Sequence, residues 1–296
     1  MPRPAWLFAV MAVAAGVRSA GAQGVPPVWA VRTGTLGATP LNESSGVAVS
    51  RRHGGVLWTH NDSNDGPNLY AITQRGELLA TFRVIGARAV DWEDLSLGIC
   101  PSRWRGRTCL YVADTGDNLE RRPRTVLYVV PEPDPAPGDS TARDTEPALA
   151  LRVRFGDGPH DIEALAVDTA GNAHLITKGR SGLILRYVVP PDAWGRDSVV
   201  LEPAERLPIK PRPLLGRWVT GAALSPSGAR AAVRTLTEVY FFKPGPGSWT
   251  LDGEPCRLTG LEPQGEAVAF LDEERLILTS EKGLSVEGVI HVVRCR

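Results

Sequence analysis

The stretch Asp91-Trp-Glu-Asp-Leu-Ser96 decides the fold, because similar stretches recur along the chain. Each copy has a polar or acidic residue, a spacer, a second polar residue, usually a small residue, and then an apolar–small pair. The five copies are Glu43–Ala48, Asp91–Ser96, Asp161–Ala166, Thr220–Ser225 (aligned only by tolerating one slip) and Gln264–Ala269. Their spacing is uneven but close to the ~40–50-residue period of propeller blades.

Each copy is followed by further short β-rich runs separated by turns. Second runs are Val56–Asp62, Cys109–Asp114, Ala173–Lys178, Ala229–Arg234 and Arg275–Glu281. Third runs are Asn68–Thr73, Thr125–Val130, Leu183–Val189, Glu238–Phe242 and Val289–Val293. Fourth runs are Glu77–Val84, Ala148–Phe155, Val199–Leu207 and Cys256–Leu261. Units of four short strands predict an all-β fold, a single β-propeller.

The unit count predicts five blades, with six possible if the long second unit hides a hairpin within Pro131–Pro147. That segment is rich in proline and charge, so we interpret it as an exposed loop. The fifth unit ends after three strands. The N-terminal run Val28–Thr33 can supply its missing outer strand, which would close the ring and protect an open sheet edge.

The N-terminus resembles an export signal. A short positive start at Met1-Pro-Arg3 precedes the 13 apolar residues Ala5–Val17 and the small residues Ser19–Ala22. A membrane-spanning helix needs about 20 apolar residues, so we expect a signal peptide at 1–22 and a propeller domain at 23–296. The mature protein is then exported, to the periplasm or the extracellular space.

Charge and cysteine content narrow the possible partners. The 33 basic and 33 acidic residues balance, which argues against nucleic-acid and anionic-membrane binding. We expect a monomer with no membrane span in the mature chain. Four cysteines in an exported chain indicate two disulfides. Three pairings are possible; the strand order favours Cys100 with Cys109 and Cys256 with Cys295, both on the face opposite the acids described next.

Acidic residues gather where the first strand of each unit begins. Residues i and i+2 of a strand point the same way, so the paired polar positions should be neighbours at one channel mouth. Like charges this close need a counter-ion, and calcium takes six to eight oxygen ligands. The candidate metal ligands are Glu43, Asp91, Glu93, Asp161, Glu163 and Glu266.

The ends of the second strands reach the same mouth and supply candidate ligand-binding residues. These residues are Asp62, Asp114, Asp117, Asn118, Lys178, Arg234, Glu281 and Lys282. The Thr220 unit carries no acid, and this gap, flanked by Lys178 and Arg234, is where we expect a small or polymeric ligand, an anionic group being one possibility.

Structural roles compete with these assignments. Asp65 and Asp117 follow strands, where such residues often satisfy the backbone of a turn. The first-strand acids could hydrogen-bond neighbouring blades or pair with arginine and lysine. Trp58, Trp92 and Trp218 are interpreted as packing between blades. Neither the G-x-S-x-G nor the H-E-x-x-H motif of hydrolases occurs, and no catalytic residue is assigned.

The opening repeats resemble the SdiA-regulated family of exported bacterial propellers, which are related in pattern to phytase-like and NHL-type propellers. The resemblance rests on Glu43–Ala48, Val56–Asp62, Leu69-Tyr-Ala-Ile, Gly76-Glu-Leu and Asp91–Ser96, within roughly residues 41–118. It implies a propeller with calcium near the channel and no particular substrate. Phytase-like propellers act on phosphate esters through calcium and basic residues, whereas this chain has few lysines at the matching face.

Three functional hypotheses follow from the sequence. The first is a binding propeller that holds calcium and a ligand at the acidic mouth. The second is a calcium-dependent hydrolase of phosphoesters or, after them, glycosides, with Lys178, Arg234 and Lys282 holding an anion. The third is a cell-surface interaction module that uses the loop Pro131–Pro147.

Overall fold

The computed structural model describes residues 29–37, 40–41, 43–62, 65–135, 142–212, 214, 216–282 and 286–295. The proposed signal peptide at 1–22 lies outside these ranges. Short 3₁₀ helices at Ser102–Trp104 and Pro191–Gly195 interrupt a chain built from β-strands. Among the described residues, no helix has the length and apolar character needed to cross a bilayer.

The strands are short and follow one another closely. In chain order they are β1 (Trp29–Leu36), β2 (Ser44–Val49), β3 (Val56–Asn61), β4 (Asn68–Thr73), β5 (Leu78–Arg83), β6 (Trp92–Ile99), β7 (Thr108–Asp114), β8 (Thr125–Pro131), β9 (Arg143–Asp144), β10 (Leu149–Phe155), β11 (Ile162–Val167), β12 (Ala173–Thr177), β13 (Ile184–Val189), β14 (Ser198–Leu201), β15 (Glu205–Leu207), β16 (Val219–Leu224), β17 (Ala231–Thr235), β18 (Glu238–Pro244), β19 (Trp249–Leu251), β20 (Cys256–Arg257), β21 (Gln264–Phe270), β22 (Arg275–Glu281) and β23 (Gly288–Arg294).

These strands form five sheets, which are the blades of a β-propeller. The innermost strands are β2, β6, β11, β16 and β21, which begin blades 1 to 5 respectively. β1 pairs antiparallel with β23, from Trp29 opposite Arg294 to Leu36 opposite Gly288. The predicted five blades and the closure by an N-terminal outer strand are therefore confirmed, and the described residues form no sixth blade.

Two connecting segments reinforce the preceding blade. β9 lies within the segment interpreted as an exposed loop, yet it pairs parallel with β5 at the edge of blade 1. The predicted strand Val199–Leu207 is divided: β14 pairs parallel with β10 of blade 2, and β15 pairs with β13 of blade 3. The physical reason is the same in both places, because an outer strand leaves backbone groups unpaired until a passing segment covers them.

The hydrophobic core is divided among the interfaces between neighbouring blades. Trp58 of β3 and Trp92 of β6 are fully buried in the interface between blades 1 and 2. Four similar clusters fill the other interfaces and complete the ring. The interpretation of Trp58 and Trp92 as inter-blade packing is confirmed. Trp218 lies in none of these clusters and is half-buried.

Both predicted disulfides form, but they differ in position. Cys100 and Cys109 join the end of β6 to β7, opposite the acidic ends of these strands. Cys256 lies opposite Val239, which itself lies opposite Arg234 near the acidic end of blade 4. The expectation that both disulfides share one face is therefore wrong for this pair. The physical reason is that the outer edge of blade 4 begins earlier than predicted, at β19, which pairs with the far end of β18. Cys256 in β20 therefore lies at the end of this edge, from where it bonds to Cys295 of blade 5.

Candidate metal and ligand site

A β-bulge occurs at the same place in all five innermost strands. The ladder register shifts around a single extra residue in each strand: Ser45, Glu93, Glu163, Thr220 and Glu266. A bulged residue has no partner in the ladder, and its side chain is re-aimed. The second polar position of each repeat is thus directed by a bulge, where strict two-residue alternation does not apply.

The bulges align the five repeats without a slip. Thr220 corresponds to Ser45, Glu93, Glu163 and Glu266, so the fourth repeat begins at Trp218 and the predicted start at Thr220 is two residues late. The error arose because a tryptophan occupies a position that is polar in the other four repeats. At the gap in the acidic series, blade 4 therefore presents an indole and a threonine.

The acids converge where the innermost strands begin, an end of the channel here called the acidic mouth. Asp62, Asp91 and Glu93 each offer an oxygen within 4.8 Å of the other two, and this set is the first triad. Glu93, Asp161 and Glu163 satisfy the same limit and form the second triad. Glu93 belongs to both triads, which join blades 1, 2 and 3.

The second triad carries its own counter-ions. Lys178 Nζ lies 2.6 Å from Glu163 Oε1, and Arg180 Nε lies 2.5 Å from Asp161 Oδ2. Asp161 Oδ1 also accepts a hydrogen bond from the backbone N–H of Asp117 at 2.8 Å. In the described part of the chain, no lysine or arginine forms an ion pair with Glu93. The charge of Glu93 is therefore less compensated than the charges of Asp161 and Glu163.

Burial and mutual repulsion favour protonation of these acids. Burial, followed by the charges of Glu163 and Asp62, raises the pKa of Glu93 well above its usual value. Burial raises the pKa of Glu163 in the same way, although Lys178 opposes it. Burial and then the charge of Asp62 raise the pKa of Asp91 to about 6. In each case burial is the largest cause, and the neighbouring carboxylates add to it in disfavouring the charged form.

Blade 5 extends the acidic mouth around Gln264. Its side-chain amide donates to Glu266 Oε1 at 2.9 Å and to Glu281 Oε2 at 2.6 Å. Burial raises the pKa of Glu266 to about 7, against the opposing effect of Gln264. Burial and then the charge of Glu266 raise the pKa of Glu281 to about 8, with Glu43 and Asp62 adding to the effect. Glu43 itself is half-buried at the start of blade 1.

The loop after β7 serves the site chiefly by orienting it. Asp114 Oδ1 accepts from the backbone N–H of Asp91 and from Arg122, each at 3.1 Å. Asp117 Oδ2 accepts from the backbone N–H of Arg122 at 2.6 Å, as expected for a turn residue. Asn118 Oδ1 accepts a hydrogen bond from Arg180. Of the candidates in this loop, Asn118 alone lines the cavity described below.

Asp65 has the turn role that competed with ligand binding. Its carboxylate accepts hydrogen bonds from the backbone N–H of Gly66 at 2.7 Å and from the Tyr70 hydroxyl at 2.6 Å. Asn61 donates to the same carboxylate at 3.0 Å. These contacts hold the segment after β3 against β4, so in this segment it is Asp62, and not Asp65, that contributes a carboxylate to the acidic mouth.

The structure places Arg234 beneath the mouth. This fully buried guanidinium donates to the backbone carbonyls of Ala267 at 2.5 Å and Thr279 at 3.1 Å, and it pairs with Glu262. A Cβ on Gly265 would lie 1.8 Å from Arg234 Nη2, so the glycine makes room for the arginine. Arg234 thus joins blade 4 to blade 5. Lys282 is exposed at the end of β22.

A cavity of about 520 Å³ opens beside the acids, between blades 3, 4 and 5. Trp218 and Thr220 of blade 4 line it, together with Lys178 of blade 3. The ring of Trp218 lies 5.1 Å from the guanidinium carbon of Arg180 and 5.8 Å from Lys178 Nζ. The gap in the acidic series, singled out from the sequence, is therefore a cavity. Lys178 and Arg180 border it, while Arg234 lies beneath it.

Asp94 connects three innermost strands below the mouth. This fully buried carboxylate accepts hydrogen bonds from the backbone N–H groups of Leu95 and Leu165 at 2.8 Å and of Ala222 at 3.2 Å. Burial raises its pKa well above the usual value, while these three donors lower it. Asp94 thus joins blades 2, 3 and 4, and a second cavity of about 220 Å³ lies at the other end of the innermost strands.

Sequence reasoning missed several residues of the site. Arg180 follows Lys178 by two positions, in the loop after the second strand of blade 3. The loop that carries the candidates Asp114, Asp117 and Asn118 has the same place in blade 2. That equivalence could have identified it. Trp218 could have been found by aligning the fourth repeat without the slip. Glu262 lies between strands and outside the repeat, so its pairing with Arg234 left no signal.

Comparison with solved structures supports the architecture. The chain is similar to the PQQ-bound aldose sugar dehydrogenase of Streptomyces coelicolor, at 12% identity and TM-score 0.52, covering 90% of this chain and 99% of that one. It is also similar to the apo form of the soluble aldose sugar dehydrogenase of Escherichia coli, at 11% identity and TM-score 0.51, covering 91% and 100%. At such identities the likeness shows the fold alone. No protein-family model and no curated protein sequence matches the chain.

Proposed function

We propose that this protein is an exported β-propeller that binds a divalent cation, calcium, and a ligand at its acidic mouth. The observation that carries the proposal is the first triad, in which Asp62, Asp91 and Glu93 offer oxygens within 4.8 Å of one another. Calcium–oxygen distances are about 2.3–2.6 Å, so two ligands of one ion lie at most about 5 Å apart. The first triad meets this limit, and the other predicted ligands Glu43, Asp161, Glu163 and Glu266 surround it.

The charges favour the first triad over the second. Lys178 and Arg180 already neutralise Glu163 and Asp161, and a cation there would have to displace them. Burial is the largest cause of the raised pKa of Glu93, followed by the charges of Glu163, Asp62 and Asp91, and a cation beside Glu93 would offset all of them. Calcium is a hard cation that prefers carboxylate and carbonyl oxygens, and the triad offers carboxylates.

The backbone beside the first triad leaves room for these carboxylates. A Cβ on Gly116 would lie 2.0 Å from Glu93 Oε1 and 2.4 Å from Asp91 Oδ2. Gly116 N also donates to the Asp91 carbonyl at 3.2 Å, which holds the loop over the triad. Any side chain at 116 would push the carboxylates aside, so glycine suits a site in which their positions matter.

Metal analysis tests the proposal directly. Purified protein is expected to contain about one calcium per chain and to lose thermal stability on chelation, with recovery on adding calcium. Glu93→Gln should abolish the calcium-dependent shift because it removes the carboxylate shared by both triads. Asp144→Asn is the matched control, since Asp144 pairs with Arg83 on an exposed blade edge. Chelation that leaves the melting temperature unchanged would contradict the proposal.

A calcium-dependent hydrolase is the second candidate. One observation favours it: Glu266 is buried, lines the cavity and has a pKa raised to about 7. A carboxyl that titrates near the working pH suits general acid–base catalysis. Aryl phosphates and aryl glycosides should be screened with and without calcium. Activity that Glu266→Gln abolishes while the fold is retained would favour this candidate, and inactivity on both classes would leave the binding role.

Export completes the proposal. Residues 1–22 serve as the signal peptide and 23–296 as the mature propeller, whose two disulfides are typical of oxidising compartments. The resemblance of the opening repeats to the SdiA-regulated family supports the same assignment. N-terminal sequencing of the protein from the periplasm or medium should begin at Gln23, and retention of Met1 in a cytosolic protein would contradict it.

A further inference from the structure

We infer that the cavity between blades 3, 4 and 5 binds an uncharged, polyhydroxylated ligand, a pyranose sugar, against Trp218. The inference deepens the proposed function, because the cavity adjoins the acidic mouth. Its volume of about 520 Å³ lies within the ~300–1,000 Å³ of small-molecule sites. The first argument is positional: at the place where other blades present acids or an amide, blade 4 presents an indole.

Trp218 lacks the inter-blade packing role that its type usually has, and its ring contacts are with Arg180 and Lys178, 5.1 and 5.8 Å from the ring centroid. It belongs to none of the hydrophobic clusters between blades and is half-buried along the cavity wall. An indole combines a large apolar surface with one polar N–H, which matches the apolar faces and polar edges of a sugar ring. The other bulge-adjacent positions offer no such surface.

The cations that line the cavity are already paired. Lys178 is bound to Glu163, and Arg180 is bound to Asp161. Glu262 is bound to Arg234. An anionic ligand could pair with one of these cations only by breaking the ion pair that the cation already forms. The loss of that ion pair would offset the attraction between the ligand and the cation. An uncharged ligand leaves these pairs intact, so the lining selects against charged groups and in favour of hydroxyls.

The remaining polar groups suit hydroxyls, which both donate and accept hydrogen bonds. Asn118 and Gln264 contribute amides, and Glu266 contributes a carboxyl. A separate observation concerns Glu262, whose side chain is only 2% exposed. Its Oε2 binds Arg234, whereas its Oε1 has no hydrogen-bond donor and lies 3.9 Å from His291 Nδ1. This oxygen is buried, so Glu262 belongs to the interior of the wall, and the groups that meet ligand hydroxyls are Asn118, Gln264 and Glu266.

Ligand-observed NMR and calorimetry on the mature, calcium-loaded protein test the inference. The neutral probes are D-glucose, D-galactose, N-acetyl-D-glucosamine, maltose and cellobiose; inorganic phosphate and glucose 6-phosphate are the anionic probes. At least one neutral probe should bind and bind more tightly than its anionic counterparts. Trp218→Ala should weaken that binding at least tenfold, and Trp218→Phe should restore part of it.

The controls separate a local effect from a general one. Trp29→Ala removes an exposed tryptophan of the edge strand β1 and should leave binding unchanged. Asn118→Ala provides a second variant in the cavity, with an expected severalfold loss. Absence of binding by every neutral probe, or tighter binding of phosphate, would overturn the inference. Calcium binding without sugar binding would overturn this inference alone, and sugar binding through Trp218 without calcium binding would overturn the metal proposal alone.

Discussion

Blades 2 and 4 share one backbone and differ in what they present at the acidic mouth. Both begin with an innermost strand whose register shifts around one bulged residue. Blade 2 places Asp91 and Glu93 at the two positions beside the channel, while blade 4 places Trp218 and Thr220 there. This difference shows that the bulge sets the direction of the side chain, whereas the residue type sets its chemistry. The same backbone can therefore carry a cation sector, formed by the acids of blades 1 to 3, and a ligand sector, formed by the cavity beside Trp218.

The non-acidic bulge residues show what the scaffold itself requires. Ser45 Oγ donates to the carbonyl of Glu93 in the next blade at 2.8 Å. Thr220 Oγ1 donates in the same way to the carbonyl of Glu266 at 2.8 Å. Hydroxyls at this position therefore link neighbouring blades, whereas the glutamates of blades 2, 3 and 5 bring charge to the mouth.

The largest expected effect on stability comes from the buried ion pair between Arg234 and Glu262. Arg234→Met should lower the free energy of unfolding by about 3–5 kcal/mol, because it leaves the buried Glu262 without its partner. Urea denaturation measures the change, and Lys282→Met, at an exposed cation, should stay within about 0.5 kcal/mol of the wild type. If Arg234→Met changed stability only mildly but abolished ligand binding, Arg234 would be a ligand-binding residue, as the sequence predicted, and its structural role would be contradicted.

Converting blade 4 to the chemistry of blade 3 sharpens the comparison. The double variant Trp218→Asp/Thr220→Glu should destabilise the metal-free protein by roughly 1–3 kcal/mol, because it adds poorly compensated charge near a buried position. Calcium should recover more of the melting temperature than in the wild type. Trp29→Asp adds an exposed charge as a control. Equal calcium-dependent shifts in the double variant and the wild type would show that blade 4 lies outside the cation sector.

The acidic sector should make the metal-free protein less stable as pH rises. The folded-state pKa values of Asp91, Glu266 and Glu281 are raised to about 6, 7 and 8. The folded protein therefore holds protons that the unfolded chain has released, so the stabilisation is complete below about pH 4 and is lost by about pH 8. Melting temperatures in chelator across this range should fall by several degrees, and saturating calcium should flatten the profile.

A rise in metal-free stability over the same interval would contradict this sign. Glu281→Gln offers a matched check, because it removes the group with the highest of the three values. The variant should make the whole profile shallower above the ordinary glutamate pKa of about 4.3, and it should flatten the profile most between about pH 7 and 8, where Glu281 is the main group of the three still titrating.

The smallest expected effect concerns the inter-blade hydroxyls. Ser45→Ala should cost about 1 kcal/mol, the usual contribution of one hydrogen bond, and should leave calcium binding unchanged. Thr220→Val is the corresponding change in blade 4 and should behave alike in stability. Loss of calcium binding in Ser45→Ala alone would mean that the bulge in blade 1 also orients the first triad.

Much of the fold was predictable because propeller blades are local structures. The strand runs, the closing strand and the Cys100–Cys109 pairing follow from a repeat in which successive strands are hydrogen-bonded neighbours, whereas the Cys256–Cys295 pair forms with Cys256 at the end of its blade opposite to the one expected. Two features were not predictable: β9 and β14 add to the edges of the preceding blades. Their pairings depend on which outer sheet edges are left open once the ring has closed. In addition, strands of two and four residues are too short to show an alternating pattern of apolar and polar residues.

The sequence by itself determined five blades and an acidic mouth with one non-acidic blade, because residue type and spacing recur with each unit. Only the tertiary structure decided which acids share a cation-sized space, which basic residues neutralise them, and that Arg234 lies beneath the mouth while Arg180 borders it. Those relations join residues of different blades. The repeat in the sequence shows which residues each blade contains, but ring closure and the five bulges determine which of their side chains meet.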